Sequence, residues 1–259
     1  MLLHNRLAAM LMLMTGTVGA AQLTVKYGDR TLDPVVLEDG VRLDKFYEKT
    51  PFPADVNWQN ALITNPAMTS RVAAQGQTLQ DHLYRLQLWW RDRGDGDYAI
   101  AAWYVAQALK QVPIAGRIPT ALDPDRVRLD LQSNRPLVGE YQLYLAPYSK
   151  QLFLFGLIRT DIDIGTTHVF KDLPLRSGWS VENYIQGRRF LPGGDKNTGY
   201  LISGTGTWRK VPLAIWNRQH IEPAAGETLF IGFDPAILPE EMSSLNEQIA
   251  DYLANRIPH

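Results

Sequence analysis

From Leu23 the chain alternates in a period of two: Leu23, Val25 and Tyr27 share one face, Gly28-Asp29 turns the chain, and Val35-Val36-Leu37 resumes it. The pattern predicts a strand hairpin over 22 to 37, followed by a candidate helix at Val41 to Glu48. Between Asn65 and Val112 the period changes to three and four. Leu79, Leu83, Leu86 and Trp90 form one stripe, and Ala102, Val105, Ala106 and Leu109 form a second. Two helices are expected, broken at Arg93-Gly94-Asp95-Gly96-Asp97, where each glycine weakens a helix interior.

After Pro113 the period of two returns. Val127, Leu129 and Leu131 alternate, as do Tyr141, Leu143 and Leu145, so both segments are expected to be strands, and the apolar run Leu152 to Ile158 suits a strand buried on both faces. Ser180 to Gly187 has the signals of a short helix, with a serine to cap it and a glycine to end it. Further strands are expected at Tyr200 to Ile202, Val211 to Ala214 and Thr228 to Phe233. Behind Pro239 a final helix, Glu240 to Arg256, gathers Met242, Leu245, Ile249, Tyr252 and Leu253 on one face.

The order hairpin, short helix, further strands occurs twice, which predicts an internal repeat. A four- or five-stranded sheet crossed by one helix is the β-grasp arrangement. The sequence therefore predicts an α+β protein of two β-grasp modules with an inserted helical hairpin and a C-terminal amphipathic helix. The expected boundaries are 1–20 for a leader, 21–64 with 113–148 for the split first module, 65–112 for the insertion, 149–236 for the second module and 237–259 for the last helix. A single larger α+β domain is the alternative.

Composition removes several classes of function. The 259 residues include no cysteine, which excludes disulfides, thiolate zinc sites and cysteine nucleophiles. The 26 Lys and Arg against 27 Asp and Glu are scattered, so nothing predicts nucleic-acid binding. His4 and Arg6, the run Leu7 to Met14 and the small residues Val18-Gly19-Ala20 form a secretory leader, with cleavage expected after Ala20 or Ala21. No later segment reaches spanning length, so no transmembrane segment is expected in the mature chain.

Catalytic constellations are not evident. His82, His168 and His220 stand apart, Ile202-Ser203-Gly204-Thr205-Gly206 lacks the first glycine of a nucleophile elbow, and Gly204-x-Gly206 reads as a tight turn. Asp161-x-Asp163 suggests divalent-ion chelation for a sugar-nucleotide transferase, a chemistry at odds with export. Asp92, Asp95 and Asp97 lack the register of a calcium loop. No catalytic residue, metal or cofactor is expected. The seven tryptophans are more suggestive. Trp90 belongs to the Leu79 stripe, whereas Trp89 points about 100° away. Trp89 and Trp103 are candidates for stacking on a sugar or a protein partner, the alternative being aromatic packing between hairpin and modules.

The stretch 200–233, YLISGTGTWRKVPLAIWNRQHIEPAAGETLFIGF, the proline-led helix ending Asn255-Arg256-Ile257-Pro258 and the segment Gly116-Arg117-Ile118-Pro119 resemble the GfcC family of periplasmic capsule-assembly proteins. That family in turn is similar to the β-grasp modules of outer-membrane polysaccharide export proteins, without their export-signature domain. The resemblance implies a non-enzymatic periplasmic role in assembling or exporting a capsule or exopolysaccharide, with the polysaccharide or export-machinery proteins as partners. It also implies a functional arginine near a pocket at Arg117, whose guanidinium fork suits a carboxylate, a polar loop or an acidic sugar. Bonding to backbone carbonyls is the other reading. The C-terminal face of Met242, Leu245, Ile249, Tyr252 and Leu253 is a candidate interaction face that must be covered by something. A periplasmic glycan-modifying enzyme and a general extracytoplasmic interaction protein are the alternative functions.

Overall fold

The computed structural model describes residues 19–159, 170–217 and 219–258. The leader expected at 1–20 lies outside them up to position 18, as do Asp161, Asp163 and His168. The first sheet is built from β1 (Ala20–Tyr27), β2 (Arg30–Thr31), β3 (Val35–Glu38), β4 (Leu62–Thr64) and β5 (Glu140–Leu145). β1 lies at its centre, antiparallel to β2 and β3 and parallel to β5, and β4 pairs antiparallel with β5. Ala21, Leu23 and Val25 point inward against Leu43, Phe46 and Tyr47 of α1 (Leu43–Glu48), which crosses the sheet.

The second sheet repeats this plan. β6 (Gln151–Gly156) and β7 (Lys171–Pro174) form a hairpin, α5 (Val181–Ile185) follows, and β8 (Thr198–Ile202), β9 (Trp208–Pro212) and β10 (Thr228–Ile231) complete the order β7-β6-β10-β8-β9. As in the first sheet, the opening strand pairs parallel with the closing one, here β6 with β10. In both sheets the path hairpin partner, first strand, last strand, preceding antiparallel strand is the β-grasp path. The α+β architecture of two mixed sheets thus agrees with the reading of the sequence.

The insertion between β4 and β5 holds α2 (Pro66–Asp92), α3 (Gly96–Gln111) and α4 (Pro124–Leu129). Asn65 caps α2 by accepting from the Met68 N–H at 2.9 Å, and Pro66 occupies the first helical position, where its missing N–H costs nothing. The segment 127 to 131, expected as a strand, is instead α4 and its exit. Asp123 accepts from the Asp125 and Arg126 N–H groups, Pro124 starts the helix, Val127 is buried, and Leu129 and Leu131 are exposed. The strand of the first sheet that this segment was expected to supply comes from β4. The strand expected at 211–214 ends at Pro212, and the C-terminal segment begins as a 3₁₀ turn, Glu240–Met242, before α6 (Leu245–Leu253).

The helical hairpin leaves its own module and covers the second sheet. Phe155, Tyr200, Ile202 and Phe230 face Leu79, Leu83, Leu86 and Trp90 of α2, Val105 and Leu109 of α3 and Leu245, Ile249 and Leu253 of α6. Leu152, Leu154, Leu201, Leu229 and Ile231 project to the other side, against Val181, Tyr184 and Ile185 of α5. Burial on both faces explains why β6, β8 and β10 read as continuous apolar runs.

Polar contacts complete the seat of α6. Asn246, 1 % exposed, donates to the Phe233 carbonyl at 2.7 Å and accepts from the Phe233 N–H at 2.8 Å. Gln248 meets His82 of α2, and Asp251 accepts from the Trp208 indole. Burial raises the Glu247 carboxyl, but the Lys210 ammonium at 2.7 Å and the Tyr200 hydroxyl outweigh it and hold the carboxyl below the usual glutamate range. Asn246→Ala leaves two buried backbone groups without partners, and chemical denaturation should show a loss of about 2–4 kcal/mol. A carboxyl with a lowered folded pKa stabilises above its ordinary pKa and loses that contribution as pH falls through the lowered value. The melting-temperature advantage of the wild type over Glu247→Gln should therefore be present at neutral pH and vanish on acidification below the glutamate range.

Candidate functional site

The chain returns from α3 through 113–118, which is paired on two sides. Ala115 N–H donates to the Asn255 carbonyl at 3.0 Å, Ile257 N–H donates to Pro113, and Ile118 N–H donates to Ile63 of β4 at 2.9 Å. Arg117 sits in the middle of this three-way junction. Its backbone N–H donates to Asn255 Oδ1 at 2.9 Å, its Nη1 to the Ala61 carbonyl at 2.7 Å and its Nε to the Ala254 carbonyl at 3.2 Å. One guanidinium therefore bridges the segment before β4 and the end of α6.

The second sheet supplies the floor of the junction from its glycines. Gly206, at φ +91°, lies under the Arg117 side chain, and a Cβ there would fall 2.3 Å from Arg117 Cδ. Gly204 and Gly226 close on the Asn60 side chain in the same way. The Gly204-x-Gly206 turn is thus the seat of two side chains from the first module. Arg256 enters from the C-terminal tail, its guanidinium over the Phe153 ring at 4.3 Å and its Nη2 donating to the Gly226 carbonyl. Burial pushes both arginines down, to about 10, so each remains charged at neutral pH, and Arg117 adds to the lowering at Arg256.

Arg117 and Arg256 line a cavity of about 20 Å³, room for about one water and not for a sugar ring. Of the two readings of Arg117, backbone bonding describes its contacts. Trp89 and Trp103 do not line this cavity. The Trp89 ring is covered by the Arg93 guanidinium at 3.7 Å, whereas Trp103 is exposed on the outer side of α3. The last helix covers its own apolar face: Leu245, Ile249 and Leu253 are buried, and Met242 and Tyr252 are half-buried against the same core. Sequence reading missed Asn60, Gly226 and Arg256. The paired glycines at 204 and 206 were the available signal, read there as a turn alone.

A larger concavity lies elsewhere, between α3 and the segment 189–196, with a volume of about 1120 Å³. Tyr98, Ile100 and Tyr104 form one wall, and Arg159, Arg189 and Lys196 stand on the other. Among the described residues no group of three or more His, Cys, Asp or Glu is placed to hold a metal, and no helix is long and apolar enough to cross a membrane.

Two β-grasp sheets, a helical insertion that crosses from one to the other and an arginine junction between them define a tandem β-grasp protein. A family model described as capsule biosynthesis GfcC, N-terminal, matches residues 21–148, and one described as capsule biosynthesis GfcC C-terminal matches residues 170–258. The chain belongs to the GfcC family and is thereby associated with capsule biosynthesis. It is 30% identical over 201 residues, 78% of this chain and 77% of the relative, to the uncharacterized protein YjbG of Escherichia coli (strain K12).

The bonds of Arg117 predict its mutational behaviour. Arg117→Ala strands buried carbonyls at Ala61 and Ala254 and should lower stability by about 3 kcal/mol in denaturant titration. Arg117→Lys, a point charge without the planar fork, should recover less than half of that loss.

Proposed function

We propose that the protein is a non-enzymatic, exported component of capsule or exopolysaccharide assembly, acting as a binding or scaffolding protein in the periplasm. The observation that carries this reading is the junction at Arg117. There the guanidinium is committed to carbonyls of the first module and the C-terminal segment, while glycines of the second sheet lie beneath it. Such a site fixes the relative position of two modules, and fixed geometry is what a scaffold supplies to its partners.

Family membership supports the pathway, and an extracytoplasmic location is consistent with it. The leader pattern of the first twenty residues supports export. β1 begins at Ala20, close to the expected cleavage position, and Ala21 is buried in the first sheet beside Leu37. The partners in this reading are the polysaccharide itself or proteins of its export machinery.

A deletion strain should lose capsule display by stain or antibody binding, and a plasmid copy should restore it. Fractionation should place the protein in the periplasm, with an intact mass lacking the first 20 or 21 residues. Full-length protein in the cytoplasm, or normal capsule in the deletion strain, would overturn the proposal.

A further inference from the structure

The groove between α3 and the segment 189–196 is formed by chain-distant parts held close together. Ile158 and Phe190 form an antiparallel bridge, and the Arg159 N–H donates to the Arg189 carbonyl at 2.7 Å, so two arginines stand side by side on one rim. Lys196 extends the same wall beyond Gly193-Gly194. Gly193, at φ +77°, brings its backbone under Tyr98, where a Cβ would sit 3.3 Å from the ring. The opposite wall is α3, with Tyr98, Ile100 and Tyr104 turned toward the opening and Trp103 exposed beside them.

Among the described residues the charges of this groove are unbalanced. Arg159, Arg189 and Lys196 are exposed, and none forms a salt bridge with a described residue. Of the two carboxylates among the described lining residues, Asp234 already accepts from the Ala236 N–H at 3.0 Å as the cap of a 3₁₀ turn. Asp97, in the first turn of α3, is left to accept from hydroxyls. The site therefore offers cations on one wall, aromatic and aliphatic surface on the other, and an acceptor at one end. Its volume of about 1120 Å³ exceeds the ~300–1,000 Å³ usual for a single small molecule, so the ligand it suits is a chain segment.

We propose that this groove binds an acidic oligosaccharide, with Arg159, Arg189 and Lys196 pairing its carboxylates and the rings of Tyr98 and Tyr104 packing on its sugar faces. Sugar rings combine an apolar face with a rim of hydroxyls, and a uronic acid adds one carboxylate per residue. Aromatic walls facing arginines match that combination. The inference rests on the capsule-assembly reading above and adds the class of ligand and its place in the fold.

The test is calorimetric titration of the full mature chain with hexagalacturonate, with maltohexaose as the neutral control and hexaglutamate as the acidic peptide control. Hexagalacturonate should bind, at least tenfold more weakly once salt is raised from about 0.05 M to 0.5 M, because the rim cations are solvent-exposed. Maltohexaose and hexaglutamate should bind at least tenfold more weakly than hexagalacturonate. The double variant Arg159→Gln, Arg189→Gln changes only exposed side chains and should reduce affinity at least tenfold with an unchanged melting temperature. Tyr104→Ala should also reduce affinity at least tenfold, with a lower melting temperature because the ring packs against the second core, and Tyr104→Phe should restore both, so the exposed arginine pair is the variant that reports binding apart from folding. Absence of hexagalacturonate binding, equal binding by the double variant, or equal binding of the neutral sugar or the peptide overturns the proposal. In the deletion strain, a double variant that restores full capsule display also overturns it while leaving the capsule-assembly reading intact. That reading fails instead if the deletion strain itself displays normal capsule or the full-length protein stays in the cytoplasm.

Discussion

The second sheet is apolar on both faces, and the rest of the molecule is arranged to cover it. α5 has five residues and shields one side, while among the described residues no α-helix of the same module lies against Phe155, Tyr200, Ile202 and Phe230 on the other. An uncovered aromatic patch of that kind would drive association. The cover comes from α2 and α3 of the insertion, together with α6. The helical hairpin is therefore part of the second core although it is encoded between two strands of the first sheet.

That exchange makes the position of the two modules a matter of packing. The insertion leaves the first sheet after β4, lies on the second sheet and returns through 113–118, where Arg117 reaches both the carbonyl of Ala61 and that of Ala254. The desolvated guanidinium is costly unless its donors are used, so the arginine is stable only when those segments are in place together. Gly204, Gly206 and Gly226 are the complementary surface, shaped by the absence of side chains. Rigidity at the junction in turn fixes the walls of the groove on the far side of α3, since Tyr98 and Tyr104 ride on the same hairpin.

Much of this was legible wherever periodicity and local signals agreed. The stripes of α2 and α3 and the doubly buried β6 could be read directly, and the Ser180 to Asn183 capping box confirms the start read for α5. Where two local signals competed, alternation misled. Val127, Leu129 and Leu131 alternate, yet the Asp123-Pro124 start decides for a helix, and both leucines face solvent while Val127 is buried. β4 has only three residues, too few to show a period before the Asn65 cap. The junction and the groove were hidden for a different reason. Asn60 meets Gly226, and Arg159 meets Arg189, through folding of distant segments, and no spacing rule encodes such meetings.

The parallel pairing at the centre of each sheet constrains how the chain acquires its shape. Gln22 pairs with Glu140, so the first module cannot close until the whole helical insertion has emerged, and the insertion needs the second sheet as its resting surface. Phe153 likewise waits for Thr228. Contacts between such remote positions form late because closing long loops is entropically slow. The 255–257 segment, which pairs with Pro113 and Ala115, follows every strand of both sheets in the chain, so this contact forms only once all of them have been made. Until then the apolar stripes of the hairpin lack part of their cover, and loss of α6 would leave Leu83 and Ile202 without the Leu245, Ile249 and Leu253 side of their core.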